Sequence, residues 1–390
     1  MKAGARWAGL LLALLIAAGA SPACATTYHA YIGTARVPQK GAMPASSGEI
    51  FMIDVDSETG AMSNLRLIVK TPASVGWMAL DPKRNILYAA NEGGDGSVSA
   101  YAISPDTGNL RLLNTRPTKG SPAFIALHPS GKYLFAANYG GGSLAVFPVE
   151  ADGSLGAMSD LFRAPHAADP VAGEPDPSRP PRIHWVGTDP SGKFVIANDH
   201  GRNKVFAFTI DLARGKLSPA PVPFVKVTGQ DGPRHGQFSP DGKTFYDVAE
   251  FDGTVAVYDF SPRTARFTLR QVVPGLPADF RGANAAGELL ISADGRFLYT
   301  TNRGHDTIAT FRVGADGTVS FIGDTPSQSQ SPRSIAFDPD GRFLFSVTEL
   351  GDAVAAFRID PKTGVATYAR QAIALRGPRS ILFMPISAGR

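Results

Sequence analysis

One block of sequence recurs along this chain from residue 28 to the C-terminus. In one copy it reads Gly232-Pro233-Arg234-His235, a short apolar strand, the turn Ser239-Pro240-Asp241-Gly242-Lys243 and an alternating strand that ends in Ala249-Glu250. Related turns stand at Asp81-Pro82-Lys83-Arg84-Asn85, His128-Pro129-Ser130-Gly131-Lys132, Asp189-Pro190-Ser191-Gly192-Lys193, Ser292-Ala293-Asp294-Gly295-Arg296 and Asp338-Pro339-Asp340-Gly341-Arg342, about every 46 to 61 residues. Each turn is followed by an alternating strand, such as Tyr133 to Asn138, then a polar Gly-rich loop and another strand, such as Thr254 to Tyr258. That order predicts a four-stranded antiparallel meander for every unit. Four-stranded units at this period cannot cover both of their faces alone, so they pack on one another around an axis as the blades of a β-propeller.

Six complete units run from about Gly76 to Arg370, with a piece left over at each end. Tyr28 to Ile68 supplies three strands, and Gly377-Pro378-Arg379-Ser380-Ile381-Leu382-Phe383 reads as the innermost strand that opens every other blade. The expectation is therefore an all-β, seven-bladed β-propeller of four-stranded antiparallel blades, its ring closed by pairing the N- and C-terminal segments. With 42 Gly and 31 Pro, and no helical period beyond the extreme N-terminus, composition agrees.

The N-terminus follows other rules. Lys2 and Arg6 precede an apolar run from Trp7 to Ala20, and Ser21-Pro22-Ala23-Cys24-Ala25 follows, the layout of a cleaved secretory signal. The expected division is a signal peptide over 1–25 and one propeller domain over 26–390, with the mature chain periplasmic or secreted and free of a membrane span. A lipoprotein acylated at Cys24 is the alternative. Cys24 is the only cysteine, so the mature chain has no disulfide, thiolate metal site or cysteine nucleophile. Losing Lys2 and Arg6 takes the formal charge from +4 to about +2, and no basic stripe interleaves with aromatics, which argues against nucleic acid as a partner. A closed ring leaves no edge strand to pair, so a monomer is expected.

Strand direction locates the site. The loop into a blade's first strand and the loop out of its second emerge at the same end, because the two strands are antiparallel. First-strand starts carry Arg182 and His184, Arg234 and His235, Arg333, and Arg379. Second-strand exits carry Asn91-Glu92, Asn138-Tyr139, Asn198-Asp199-His200, Glu250, Asn302-Arg303 and Glu349. One mouth of the channel is thus expected to gather arginines, histidines and carboxylates. The opposite mouth collects the repeated turns, where Asp189, Asp241, Asp294, Asp338 and His128 are explained by turn geometry alone. His235 directly follows Arg234 and is expected on the other face of its strand. His200 and His305 are expected in exposed loops. No His-x-His or clustered carboxylate run suggests a metal. The Pro-rich stretch from Arg163 to Pro181 reads as an insert, a flap over the mouth.

His184-Trp185-Val186-Gly187, Gly232-Pro233-Arg234-His235 with Glu250 sixteen residues after Arg234, Ala286-Gly287-Glu288, Asn302-Arg303-Gly304 and Ser331-Pro332-Arg333 together resemble the seven-bladed propeller lactonase family. That family includes bacterial 6-phosphogluconolactonases and the fungal carboxy-cis,cis-muconate cyclase. The resemblance spans essentially the whole chain after the signal. It implies a lactone hydrolase needing no metal or organic cofactor, with His184, Arg234, Glu250 and Arg303 at the family's active-site positions. Arg182 stands where the family often has a second histidine, Ala249 where it often has Asn, and Leu290 where it often has His.

Water opening a lactone requires a base for the water proton and positive donors for the oxyanion at the carbonyl. Glu250 or His184 supplies the base, with Glu250 preferred; Arg234 and Arg303 supply the donors and can hold an anion through paired hydrogen bonds. Arg333, His235 and Asn302 are the expected substrate contacts. The substrate is expected to be a small lactone, 6-phosphoglucono-1,5-lactone or an unphosphorylated aldonolactone. The alternatives are a muconate-type lactone-forming cyclase and a non-catalytic binding propeller.

Overall fold

The computed structural model of the chain describes residues 26–35, 47–165 and 179–384. Residues 1–25, expected as a signal peptide, and most of the Arg163 to Pro181 insert lie outside the described residues. Seven four-stranded antiparallel sheets form a ring, and the described residues contain no helix. We number the blades from the one that joins the chain ends. In blade 1 the C-terminal strand Pro378–Phe383 is innermost and pairs with Thr27–Ala35, which pairs outward with Gly48–Asp56 and then Met62–Thr71. Ile32 opposite Ile381 and Tyr31 opposite Leu382 set the closing register. The two leftover pieces of sequence thus make one blade, as their content predicts.

Blades 2 to 7 open with the innermost strands Ser74–Asp81, Pro122–Leu127, Ile183–Thr188, Pro233–Phe238, Ala285–Ile291 and Pro332–Phe337, and each runs outward in chain order. These first strands touch one another in sequence around the channel. Second and third strands are buried almost throughout, as Phe194–Asp199 and Thr244–Ala249 show, because neighbouring blades cover both of their faces. Fourth strands such as Met62–Thr71 alternate between covered and exposed residues, as the outer rim requires. The largest apolar cluster spans blades 3 to 5 and includes the interlocked rings of Trp185, Phe194, Phe238, Phe245, Phe260 and Phe267.

A repeated hydrogen bond ties several of the blades to the one that follows. Tyrosine hydroxyls on second strands donate to carbonyls in the outer hairpin of the following blade: Tyr88 to Gly153 (2.9 Å), Tyr246 to Gly317 (3.0 Å) and Tyr299 to Gly364 (2.7 Å). Tyr31 reaches Gly108 in the same way, across the closing blade (2.5 Å). Gly364 has φ of 78°, and a Cβ there would stand 2.2 Å from the Phe297 ring, so both conformation and space call for glycine.

The opposite mouth also follows turn chemistry. Asp189 Oδ1 accepts from the Phe194 amide (2.6 Å) and Asp338 Oδ1 from the Phe343 amide (2.8 Å), each spanning its own turn. His128 is held by Ser130 and the Gly192 carbonyl.

Replacing Tyr299 with Phe keeps the ring and leaves the Gly364 carbonyl without its donor. The expected cost is about 1 to 2 kcal/mol of unfolding free energy, measured by denaturant titration with an unchanged slope.

Candidate active site

Each innermost strand carries an irregularity near its start, and these irregularities build the mouth. Pairing skips Gly76 in blade 2, Ala123 in blade 3, His184 in blade 4, Arg234 in blade 5, Gly287 and Glu288 in blade 6, Arg333 in blade 7 and Arg379 in blade 1. A bulged residue leaves the ladder and its side chain is re-aimed. Here the side chains turn into the channel and line a narrow, tightly filled recess formed by Gly76, Trp77, Ala123, His184, Arg234, His235, Arg333 and Arg379.

The ends of the second strands form a second tier, with Glu92, Tyr139, His200, Glu250, Arg303 and Glu349 at equivalent places in their blades. The two tiers interlock through charge. Glu250 Oε2 accepts from Arg234 Nε at 3.0 Å, and Glu250 Oε1 lies 3.0 Å from Arg303 Nη2. His200 Nε2 stands 3.3 Å from the same Glu250 Oε2. Arg234 also donates to the Gly287 carbonyl, and Arg303 donates to the carbonyls of Ala285 (3.1 Å) and Ala286 (3.0 Å), so each guanidinium is fixed from two sides. Across the channel, Arg379 bonds Glu92 and lies 2.9 Å from Glu349, while Arg333 lies 3.6 Å from each of these carboxylates. Gly76 permits the first of these arrangements, since a Cβ there would lie 2.8 Å from the Glu92 carboxyl carbon.

Burial alone would raise the Glu250 carboxyl, but His200, Arg234 and Arg303 outweigh it and hold it well below the usual carboxylate range. Burial pulls Arg234 down to about 9; Arg303 adds to the pull and Glu250 opposes it, so the guanidinium remains charged at neutral pH. His184 is 5 % exposed, and burial, with Arg234, His235 and His200 nearby, keeps its imidazole well below 6.5 and therefore neutral. Its Nδ1 has no hydrogen-bond partner among the described residues.

Three expectations need correction. His235 does not turn away from Arg234, because the bulge at Arg234 lets successive residues both face the recess. There its Nδ1 lies 2.8 Å from Glu288 Oε1, and its ring packs on Trp77, Phe124 and His184. His200 is not in an exposed loop but 3 % exposed, with its ring against Tyr139, His184 and Phe251. Asp199 shapes that loop by accepting from the amides of Arg182, Gly201 and Arg202. His305 is partly buried, against Phe280 and 3.2 Å from Asp324.

Asn302 is fully buried and its amide donates to the Gly275 carbonyl (2.8 Å) and Thr307 hydroxyl (3.3 Å), away from the charged cluster. His184, Arg234, Glu250, Arg303, Arg333 and His235 do converge. Glu288 and His200 join them: sequence reasoning placed His200 at this mouth but in an exposed loop, and gave Glu288 no role. Among the described residues no three His, Cys, Asp or Glu side chains converge as metal ligands.

A closed propeller whose single charged mouth holds fixed arginines beside a neutral histidine defines an enzyme that handles a small polar molecule through side chains carried by strand bulges. The chain belongs to the seven-bladed β-propeller lactonase family: the family model described as "Lactonase, 7-bladed beta-propeller" matches residues 29–383. It is 30 % identical to the 6-phosphogluconolactonase of Bacillus subtilis, over 80 % of this chain and 86 % of that one. It is 33 % identical to the Serratia proteamaculans 6-phosphogluconolactonase, over 72 % and 80 % of the two chains. Among solved structures, the periplasmic gluconolactonase PpgL of Pseudomonas aeruginosa superposes with a TM-score of 0.83 at 29 % identity, covering 92 % of this chain and 99 % of that one.

The buried histidines make the fold acid-sensitive. Burial pulls His235 down to about 4 against the opposing pull of Glu288, whereas an unfolded histidine titrates near 6.5. The unfolded chain therefore binds more protons between these values, and stability present above pH 6.5 is lost as pH falls toward 4. Denaturant midpoints taken across this range are expected to show a loss of about 1 to 3 kcal/mol for the wild type, and a shallower fall for His235→Gln.

Proposed function

We propose that the chain hydrolyses a lactone, with Arg234 and Arg303 receiving the carbonyl oxygen and His184 taking the proton of the attacking water. The observation that carries this allocation is the engagement of Glu250. Its two oxygens are already engaged by Arg234, Arg303 and His200, so neither is free to receive the proton of a water molecule. His184 is neutral, borders the recess beside Arg234 and keeps a free Nδ1 lone pair or proton according to tautomer. Of the two bases open at the level of sequence, this arrangement favours His184.

In the proposed cycle the lactone carbonyl lies against the Arg234 and Arg303 guanidinium groups, which Glu250 holds in place and partly neutralises. Water attacks the carbonyl carbon as His184 accepts its proton. The negative charge that gathers on the carbonyl oxygen is met by two fixed cations in a site buried from water, where such stabilisation is strongest. Collapse of the tetrahedral intermediate breaks the ring C–O bond, and the imidazolium returns its proton to the departing ring oxygen. The product is a hydroxy acid. Its new carboxylate and the remaining proton leave to solvent. Arg333 and His235 border the same recess and are assigned to substrate contact; Asn302, held within its own blade, is assigned to loop structure. Relatives named 6-phosphogluconolactonase favour hydrolysis over ring closure and over a purely binding role.

The mature chain is assigned to the periplasm as a monomer. The layout of residues 1–25 supports export, as does the likeness to a structure named as a periplasmic gluconolactonase. Among the described residues no helix is long and apolar enough to cross a membrane.

Turnover followed by proton release in weak buffer tests the allocation. His184→Asn is expected to lower kcat by about 10²- to 10⁴-fold, the usual contribution of a positioned base. Glu250→Gln is expected to cost about tenfold to a hundredfold through looser arginines. Full loss in Glu250→Gln with active His184→Asn would reverse the roles. For wild type, kcat/KM is expected to show no inflection near pH 6.5, and to fall as pH rises past about 9, where Arg234 discharges. For export, N-terminal sequencing of protein from the periplasmic fraction is expected to begin at Thr26.

A further inference from the structure

Among the described residues, the charges of the inner mouth balance. Arg234, Arg303, Arg333 and Arg379 face Glu250, Glu92, Glu349 and Glu288. Glu250 bridges Arg234 and Arg303, whereas Glu92 and Glu349 both stand between Arg333 and Arg379. Glu288 lies against neutral His235 and near Arg333. Four cations are thus matched by four carboxylates, all with side chains no more than 18 % exposed.

We infer that this mouth selects a lactone without a phosphate or other additional anionic group, an inference that rests on the lactonase reading. A phosphate dianion is bound where arginines present unshared N–H groups and a net positive field. At Arg333 and Arg379 those groups already point toward Glu92 and Glu349. An incoming phosphate would have to sit beside these two carboxylates or displace them, and like charges at such distances repel strongly in a buried site. A neutral sugar lactone meets no such conflict. Its hydroxyl groups both donate and accept, so they can bond carboxylate oxygens and guanidinium N–H groups of the same web. Only the carbonyl oxygen gains charge during reaction, and it does so at the Arg234 and Arg303 side.

The rim offers two further arginines. Arg179 is paired with Asp231 at 2.5 Å and covers Phe251. The Arg182 guanidinium carbon lies over the Tyr139 ring, 4.7 Å from its centre, with no carboxylate partner among the described residues. A single cation stacked on an aromatic face makes a weak reader of a dianion compared with a paired guanidinium clamp.

The test compares glucono-1,5-lactone with its 6-phosphate on the mature wild-type chain, with spontaneous hydrolysis subtracted. The expected result is a kcat/KM at least about tenfold higher for the neutral lactone. In Glu92→Gln and Glu349→Gln the ratio is expected to move toward the phosphorylated lactone by about tenfold or more, since each change removes a like charge and frees guanidinium N–H groups. A wild-type preference for the phosphorylated lactone overturns the inference and leaves the lactonase reading intact. A phosphorylated-lactone activity that Arg182→Gln selectively abolishes overturns it as well, by locating a phosphate reader at the rim. If neither lactone is hydrolysed, the lactonase reading fails on these substrates. Calorimetric binding of gluconate and 6-phosphogluconate then decides selectivity: equal or tighter binding of 6-phosphogluconate overturns the inference, and weaker binding supports it.

Discussion

Coverage of both sheet faces is the constraint on which this molecule depends. Each second and third strand is apolar on two sides, so a blade is stable only between two neighbours, and a row of blades is stable only when its ends meet. The meeting is the pairing of Pro378–Phe383 with Thr27–Ala35. That pairing does more than remove two sheet edges. It brings Arg379, near the C-terminus, against Glu92 of blade 2 and Glu349 of blade 7, so the charged web of the mouth exists only in the closed ring.

The bulges convert this scaffold into a site. A regular strand lining a channel would send alternate side chains inward and the rest into the blade. Skipping one residue near the start of each first strand, or two in blade 6, re-aims the side chains there, and successive residues such as Arg234 and His235 can then share the recess. Most of the ionic contacts run between blades: Glu250 of blade 5 binds Arg303 of blade 6 and approaches His200 of blade 4. Breaking one partner of such a buried pair is strongly destabilising, at about 3 to 5 kcal/mol, because it strands a charge. The same web therefore fixes catalytic side chains and stiffens the blade contacts at the mouth, while the tyrosine hydroxyl bonds do so farther out.

Much of this was legible in the residues. The repeated turns marked the blades because Asp, Pro and Gly are required by turn geometry, which acts within five residues. The innermost-strand character of Gly377 to Phe383 was legible by comparison with Gly232-Pro233-Arg234-His235, and antiparallel direction alone placed Arg234, Glu250, Arg303, Arg333 and Arg379 at one mouth. Other features were not legible. The orientation of His235 was misjudged because strict alternation assumes an unbulged strand. His200 was misplaced because a loop residue looks exposed until neighbouring blades supply Tyr139 and Phe251 to cover it; the available signal was Asp199, a carboxylate suited to capping the amides of a tight loop. Glu288 carries a charge at a position that otherwise resembles core, and its partner His235 lies in the preceding blade.

By itself, then, the sequence determined the number of blades, the manner of closure and which residue types gather at one end, because turns, alternation and repeat spacing are local and are written once per unit. Only the tertiary structure decided which of those residues share a proton, a charge or a face. Those outcomes depend on bulges that shift strand register and on contacts between blades, where burial makes His184 neutral, holds Arg234 against Glu250 and balances four arginines with four carboxylates.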